Sequence, residues 1–427
     1  MTNSKYVPKR RFKEFELDGE WERDLFGNIA DFSIKTNSFS REKLTHESYE
    51  VQNIHYGDIL IKFQSVLDLK RDNLPSIIDS NVLDFRQSLL QDGDVIFADA
   101  AEDSTVGKAI EIRNIMGKNV VSGLHTIAAR PIQLFAPYYL GYYLNSDFYH
   151  KQILPLMQGT KVSSISKSNL QVTEISFPII DEQKQIGKFF QTIDSMLSLH
   201  QHKLDKLKNL KKAYLSEMFP AEGERVPKRR FPGFEGEWEQ MLLGKIGKAQ
   251  SGIGFPDSEQ GGKVGIPFYK VSDMNNNGNE HEMVFANNYV TLEQMSQRGW
   301  KAIHDVPAIF FAKVGAAVLL NRKRLCRVPF LMDNNTMAFS LDTSKVDTNF
   351  AKTMFETVDL TSLVQIGALP SYNTRDVESI SVLVPATKEQ KQIGDFFHKL
   401  DNSISLQQQK LDKLNDLKKA YLNELFV

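Results

Sequence analysis

Two stretches of the chain carry the same long-period alternation of apolar and polar residues. From Glu182 to Phe219 and from Glu389 to Phe426, apolar positions recur about every 3.5 residues, the pattern of amphipathic helices that pair. Asp181 and Thr387 stand ahead of them as N-cap types, and Thr387 with Gln390 fits a capping box. Written as heptads, the first segment has Ile186, Ile193, His200, Leu207 and Tyr214 at a, Phe189, Met196 and Leu210 at d, and Phe190, Leu197, Leu204 and Met218 at e. The second has Ile393, Leu400, Gln407, Leu414 and Tyr421 at a, Phe396 and Leu417 at d, and Phe397, Ile404, Leu411 and Leu425 at e. The segments align without a gap and share 25 of 38 residues, so one is a duplicate of the other. Neither stripe can be buried alone. An intramolecular antiparallel pair with an approximate two-fold axis lets each cover the other, over ~50–60 Å at about 1.5 Å per residue. The middle a position is polar in both copies, His200 and Gln407. It is read either as a solvated position or as a central polar layer in which the two side chains meet and fix register.

The duplication extends to the start of each half. VPKRRF begins at Val7 and at Val226, and GEWE at Gly19 and Gly236. Between these marks lie two inserts, 25–180 and 242–384, with almost no identity but a shared order of elements. Each has a strand-like run (Asp94–Ala98; Ala308–Ala312), then a second run ending in a polar cluster (Ser122–Thr126; Asp333–Thr336). A helical stretch (Pro137–Leu144; Phe350–Leu360) and a Gly-containing polar loop (Gly159–Ser168; Gly367–Asp376) follow. A β-rich run into proline closes each insert (Ile175–Pro178; Ile380–Pro385). Like order with unlike residues points to one fold that carries two different surfaces.

Composition changes this picture little. With 427 residues, 41% hydrophobic and 25% charged, the chain has material for more than one core. One cysteine, Cys326, excludes an intramolecular disulfide and suits a reducing cytoplasm. No signal-peptide pattern opens the chain, and the longest apolar stretch, 308–320, is too short to span a bilayer. The net charge of −1 offers no overall basic surplus for nucleic acid, so local patches or partner subunits have to supply it.

Catalytic motifs are sought without success. Glu182-Gln183-Lys184 and Glu389-Gln390-Lys391 spell half of a nuclease metal motif, but the upstream Pro-Asp is missing, and Glu in a first helical turn complements the dipole. There is no phosphate-binding glycine loop, no dinucleotide fingerprint, no N/D-P-P-Y methyltransferase segment and no zinc knuckle.

The motifs P-x-x-R-F-x-x-F followed shortly by W (Trp21, Trp238), opening each half, and P-x-x-x-E-Q-x-x-I-G-x-F-F, before each Lys/Leu-rich helix, resemble the specificity subunit of type I restriction–modification systems over nearly the whole chain. The resemblance implies an α+β chain of two mixed α/β target-recognition domains separated by two long antiparallel coiled-coil helices, with a pseudo-two-fold internal repeat. The expected domains are 1–180 (first recognition domain with its N-terminal arm), 181–219 (spacer helix), 220–230 (linker), 231–385 (second recognition domain) and 386–427 (second spacer helix). Each recognition domain is expected to read one half of an asymmetric, bipartite site in double-stranded DNA, while the helices set the gap and dock two adenine-N6 methyltransferase subunits. Motor-nuclease subunits join through the assembled complex. No cofactor is expected in this chain. S-adenosylmethionine belongs to the methyltransferase, and ATP and Mg to the restriction partner. No metal and no membrane are expected, and the location is cytoplasmic. The rival readings are a structural tether that does not bind DNA and a self-contained restriction enzyme.

Side chains that suit base edges or phosphates supply the candidates. In the first insert they are Lys62, Gln64, Lys108, His125, Lys161, Ser163 and Ser164, with Glu102 and Asp103 as cytosine readers or turn caps. In the second they are Lys270, Ser272, Asp273, Asn275, Lys313, Asn321, Arg322, Arg324, Asn334 and Asn335. Arg322, Lys323, Arg324 and Arg327 form the densest basic cluster in either insert. Arg10–Arg11 and Arg229–Arg230 are read as phosphate or partner grips, or as a charged lead into each half. The lysines of the long helices (203, 206, 208, 211 and 212; 410, 413, 418 and 419) are read as a solvated face or as a phosphate or partner contact.

Overall fold

The computed structural model describes residues 6–159, 161–364 and 370–427. Parts of the two polar loops expected at Gly159–Ser168 and Gly367–Asp376, and the first five residues, lie outside them. The chain forms two compact units, Met1–Leu199 with Leu411–Val427, and His200–Lys410. Two long helices, Ile180–Met218 and Thr387–Glu424, give a segment to each unit.

Within each unit the two helical segments run antiparallel. In the first, Phe189 meets Tyr421 with ring centroids 4.9 Å apart, and Phe190 stacks on Phe426 at 5.7 Å. Further along the helix Asp194 binds Lys418 at 2.6 Å. In the second, Tyr214 meets Phe396 at 5.0 Å, Lys211 binds Asp401 at 2.7 Å, and the Gln407 amide donates to the His200 carbonyl at 3.0 Å. Gln407 is buried and its side chain also faces the His200 ring. The two polar residues thus meet within one unit.

The buried seam follows a and e rather than a and d. Ile186, Phe190, Ile193, Leu197, Leu204 and Met218 are buried, as are Ile393, Phe397, Leu400, Ile404, Gln407, Leu411 and Leu425. Leu207, Tyr214, Leu414 and Tyr421 are half-buried. The expected d residues Met196, Leu210 and Leu417 are exposed by 42–47%. A 4-3-4-3 spacing that starts at Ile186 is itself a heptad seam one phase away. The aromatic pairs Phe189/Phe190 and Phe396/Phe397 hid the phase, because both members look apolar. The capping box expected at Thr387 is not made. Gln390 instead donates to the Pro385 carbonyl at 2.9 Å and accepts from Asp347 N at 2.8 Å.

The main sheet of each unit has a wholly apolar inner strand, Val95–Ala98 in the first and Ala308–Ala312 in the second, and both are buried. In the first unit a five-stranded sheet runs in the order Ala30–Asp31, Thr126–Pro131, Val95–Ala98, Ala109–Arg113, Val66–Asp68, beside a four-stranded sheet centred on Val51–Ile54. In the second the order is Gly247–Ser251, Thr336–Leu341, Ala308–Ala312, Lys323–Cys326, beside a three-stranded sheet centred on Ile266–Tyr269. The polar cluster Ser122–Thr126 ends one strand and turns into the next. It joins Asn119–Ser122 to Thr126–Pro131, and His125 takes φ +52° within it.

The repeated motifs repeat as contacts. Arg11 grips Glu182 with two bonds, 2.9 and 2.7 Å, and Arg230 grips Glu389 at 2.8 and 2.7 Å. Both carboxylates are buried. The remaining arms donate to turn carbonyls, Asp18 at 2.6 Å and Gly236 at 2.6 Å. Arg10 pairs with Glu424, and Arg229 with Glu217 at 2.6 Å. Gln183 accepts from Ala136 N at 3.0 Å, as Gln390 does from Asp347 N. Beside each glutamine a glycine lets the insert approach. A Cβ on Gly187 would lie 2.6 Å from the Pro137 carbonyl, and one on Gly394 would lie 2.6 Å from Phe350 N. Arg11 and Arg230 are therefore structural closures, while Arg10 and Arg229 keep more than half of their side chains exposed.

Candidate nucleic-acid interface

In the second unit three separated segments converge. Asp333 N donates to the Tyr269 carbonyl at 3.0 Å, which puts the DNNT turn beside Lys270. Lys313 N donates to the Asn335 carbonyl at 2.9 Å. Arg322 donates to the Asn275 amide oxygen at 2.7 Å, so the basic segment meets KVSDMN. Ser272, Asn275, Asn334 and Asn335 are exposed around this convergence, and Lys270, Lys313 and Arg322 are half-exposed. Amides and cations gathered on turns are the groups that contact base edges and phosphates.

Three candidates of this unit are committed elsewhere. Asp273 is fully buried and accepts from Lys270 N at 2.6 Å and Asn287 N at 2.7 Å, which fixes the loop that carries Ser272 and Asn275. Asn321, at φ +49°, donates to the Val358 carbonyl at 3.3 Å and accepts from Leu360 N at 3.1 Å and the Lys323 ammonium at 2.8 Å. Arg324 donates to the carbonyls of Asn279, at 2.5 Å, and Lys323, at 2.9 Å. Burial lowers the Arg324 guanidinium below its ordinary range and pushes the Lys323 ammonium down to about 8. The densest basic cluster of the sequence is therefore half structural. Only Lys323 and Arg324 of the four lie in the strand Lys323–Cys326, and backbone carbonyls take both.

In the first unit the candidates fall in two places. Ser163 and Ser164 pair with Ala101 and Ala100, and Ile165 N donates to the Asp99 carbonyl at 2.9 Å. Asp99 also faces the exposed ring of His125, Nδ1 at 3.2 Å. Burial raises the Asp99 carboxyl, although His125 opposes this. Lys161 and Ser164 are exposed beside them. Lys62 and Gln64 lie instead against the long helices, in a cleft of about 290 Å³ shared with Arg71, Tyr142 and Asp194. With its amide nitrogen toward Asp194, Gln64 donates to both carboxylate oxygens at 3.0 and 2.8 Å, so it docks the insert rather than reads a base. Lys108 is also spent internally, on the carbonyls of Leu60 at 3.1 Å and Phe63 at 2.8 Å, and burial lowers its ammonium. Glu102 and Asp103 are exposed; Asp103 caps a turn through Thr105 N at 2.8 Å.

Sequence reasoning missed a basic groove in this unit. Lys35 and Lys167, 132 residues apart, line a cavity of about 260 Å³ with Ser33, Thr36 and Thr126. Lys167 also donates to the Phe32 carbonyl. No local run signals such a groove, because the fold alone brings its two cations together.

Of the lysines on the long helices, Lys203, Lys206, Lys208 and Lys212 are exposed, as are Lys410, Lys413 and Lys419. Lys211 and Lys418 are not free. Lys418 binds Asp194, which also accepts from the Tyr142 hydroxyl at 2.7 Å. At the matching position Lys211 binds Asp401 and Glu356, with Lys352 and His281 alongside. His281, Glu356 and Asp401 are the one cluster among the described residues with spacing fit for a metal, but the ammonium groups of Lys211 and Lys352 already balance it. Burial pushes Asp401 up, yet Lys352 and Lys211 outweigh it and hold the carboxyl below its ordinary range.

Residues 26–209 and again 235–416 match the family model described as the type I restriction modification DNA specificity domain. The chain belongs to this type I DNA specificity family. Both matches take in an insert and most of the helix that follows it. A protein named as the specificity subunit of a type I restriction enzyme, MjaX of Methanocaldococcus jannaschii, is 23% identical over 386 residues, 86% of each chain. The solved S subunit of a type I restriction-modification system from M. genitalium is 15% identical, covers 99% of both chains and superposes with a TM-score of 0.63. A second solved chain, from work on complex assembly and conformational transition of the type I R-M system, has 15% identity, a TM-score of 0.52 and 94% coverage of this chain. The chain is thus a type I restriction-modification specificity subunit with two DNA specificity domains. Among the described residues no helix is long and apolar enough to cross a membrane.

Proposed function

We propose that each insert reads one half of an asymmetric, bipartite site in double-stranded DNA, and that the chain itself performs no chemistry. One observation carries this reading. A frame duplicated contact by contact, through Arg11–Glu182 and Arg230–Glu389, holds two inserts with different sheets and different exposed polar turns. Unlike readers on like supports predict an unlike pair of half-sites. In the second unit the readers are Ser272, Asn275, Asn334 and Asn335, with Lys270, Lys313 and Arg322 toward phosphates. In the first they are His125, Ser163, Ser164 and Lys161.

The helices are the scaffold of this proposal. The first unit leaves Leu199 and Leu417 exposed by 65% and 43%, and the second leaves their duplicates Leu406 and Leu210 exposed by 54% and 42%. Matching apolar positions with adjacent lysines suit two copies of one partner, an adenine-N6 methyltransferase that brings S-adenosylmethionine and takes the target base out of the stack. The restriction subunits bring ATP and Mg, and the complex works in the cytoplasm. A structurally similar chain comes from work on complex assembly of the type I R-M system, which is in keeping with a role inside a larger complex.

The test is co-expression with the cognate methyltransferase, followed by mapping of modified adenines. One bipartite motif, modified on both strands, is expected. Exchange of residues 242–384 for another insert should change one half of the motif only. A change in both halves, or methylation by the purified chain alone, would overturn the proposal.

A further inference from the structure

The duplicated frame loses its symmetry at one strand edge. In the first unit Glu174–Phe177 pairs antiparallel with Glu22–Leu25, and Phe26 N donates to the Thr173 carbonyl. This register turns the N–H and C=O groups of Glu174 and Ser176 away from the partner strand. Side chains take all four. Gln152 accepts from Glu174 N at 2.9 Å and donates to its carbonyl at 3.0 Å. The Tyr143 hydroxyl accepts from Ser176 N at 2.9 Å, and the Tyr139 hydroxyl donates to the Ser176 carbonyl at 2.8 Å.

In the second unit Ser381–Val384 pairs with Glu239–Leu242 in the same register, and Leu243 N donates to the Ile380 carbonyl. Ser381 and Leu383 therefore turn outward. Phe350 stands where the first unit has Tyr139: each packs on the tryptophan of its half, Trp238 and Trp21. Met354 follows one turn later, where the first unit has Tyr143. Both hydroxyls are gone, and among the described residues no group bonds the backbone of Ser381 or Leu383. The edge opens on a cavity of about 660 Å³ lined by residues 380–383, Met354 and the inter-repeat linker. Glu222, Glu224 and Asp359 face this cavity against a single Arg225, which is itself held by Gln240 at 3.2 Å and Glu237 at 3.6 Å.

We propose that this edge receives an extended, lysine- or arginine-bearing peptide segment of another protein. The segment adds a third strand, bonds the backbone of Ser381 and Leu383, and sets a cation between Glu222 and Glu224. A second copy of this chain docked by the same edge would bring two acidic rims together, which like-charge repulsion opposes.

The probe is a fluorescein-labelled hexapeptide of alternating valine and lysine, titrated into the full chain at low salt and read by anisotropy. Saturable binding is expected, with slowed amide exchange at Ser381 and Leu383. A glutamate-for-lysine peptide, and one N-methylated on the backbone groups that face the edge, should each bind about tenfold more weakly or worse, a loss of ~1.4 kcal/mol. Met354→Tyr, which returns the closing hydroxyl, should weaken the lysine peptide comparably. Absence of saturable binding to the native chain, equal binding of the N-methylated peptide, or unchanged exchange at Ser381 and Leu383 would each overturn the proposal. The exchange readout decides the matter even if Met354→Tyr folds poorly.

Discussion

Removal of Arg230 should unfasten the second half of the molecule at a known place. Glu389 has a side chain exposed by only 1% and holds two bonds to Arg230, at 2.8 and 2.7 Å. Arg230 is itself exposed by only 14%, so solvent screens the pair weakly. Arg230→Met leaves a desolvated carboxylate without a counter-charge, at a cost of about 3–5 kcal/mol. At about 1.4 kcal/mol per decade, amide exchange over the first turns of Thr387–Glu424 should accelerate by about two to three and a half orders of magnitude. The double variant Arg230→Met, Glu389→Met replaces the ions by apolar groups of similar reach and should recover to within ~1 kcal/mol of the native chain. The duplicate pair supplies an internal control. Arg11→Met should act on the start of Ile180–Met218 and leave the second unit unchanged. A single-variant cost below ~1 kcal/mol would refute the view that Arg230 neutralises a buried charge. A double variant as unstable as the single would show that the guanidinium acts through its bond to the Gly236 carbonyl instead.

Gly394→Ala should cost about 1–3 kcal/mol in denaturant unfolding, because its Cβ would meet Phe350 N at 2.6 Å and Asp347 Oδ1 at 2.7 Å; Gly187→Ala should cost a similar amount. Burial, opposed by Asp401 and helped by Lys352 and Lys211, holds the His281 imidazole below its ordinary 6.5. The unfolded chain therefore takes up the proton first, and second-unit stability should fall as pH drops below about 6.5. His281→Gln should flatten that slope in pH-dependent unfolding, with Lys211, Lys352, Glu356 and Asp401 left in place. In the methyltransferase complex, Lys35→Ala and Lys167→Ala should each lower the slope of log K against log salt by about 1, equally for all sequences, while Lys108→Ala should leave it unchanged. Equal slopes for all three variants would remove the Lys35–Lys167 groove from the interface.

Duplicated elements were legible in the sequence and assembled elements were not. Identity between the halves exposed the long helices and their pairing, since a stripe that cannot be buried alone demands its copy. The same identity pointed to PKRRF and EQKQIG, but not to each other. The Arg11–Glu182 contact joins residues 171 apart, and no periodicity links them. Heptad phase was misread wherever two phenylalanines stood side by side, because the choice between Phe189 and Phe190 depends on the opposing helix. Among the candidate residues, the exposure of the amides on turns was legible from residue type. The cations were not, because backbone carbonyls brought near by the fold decide which of them reach solvent. Lys108, Lys323 and Arg324 look like phosphate contacts in the sequence and are backbone braces in the fold.

The braces explain why one frame tolerates two unrelated inserts. Where the inserts meet the helices, the frame offers the same sockets twice: a glutamine that takes a backbone N–H, a glycine that admits a close turn, and an Asp–Lys pair that awaits a polar partner. The first insert answers the Asp–Lys pair with Tyr142 and Gln64, and the second with Lys352, Glu356 and His281. The backbone sockets ask only for a turn at the right place, which most sequences can supply. The Asp–Lys socket constrains charge balance and not identity. An insert that satisfies these few contacts is free to vary its outward turns, and that freedom is what a reader of changing half-sites requires.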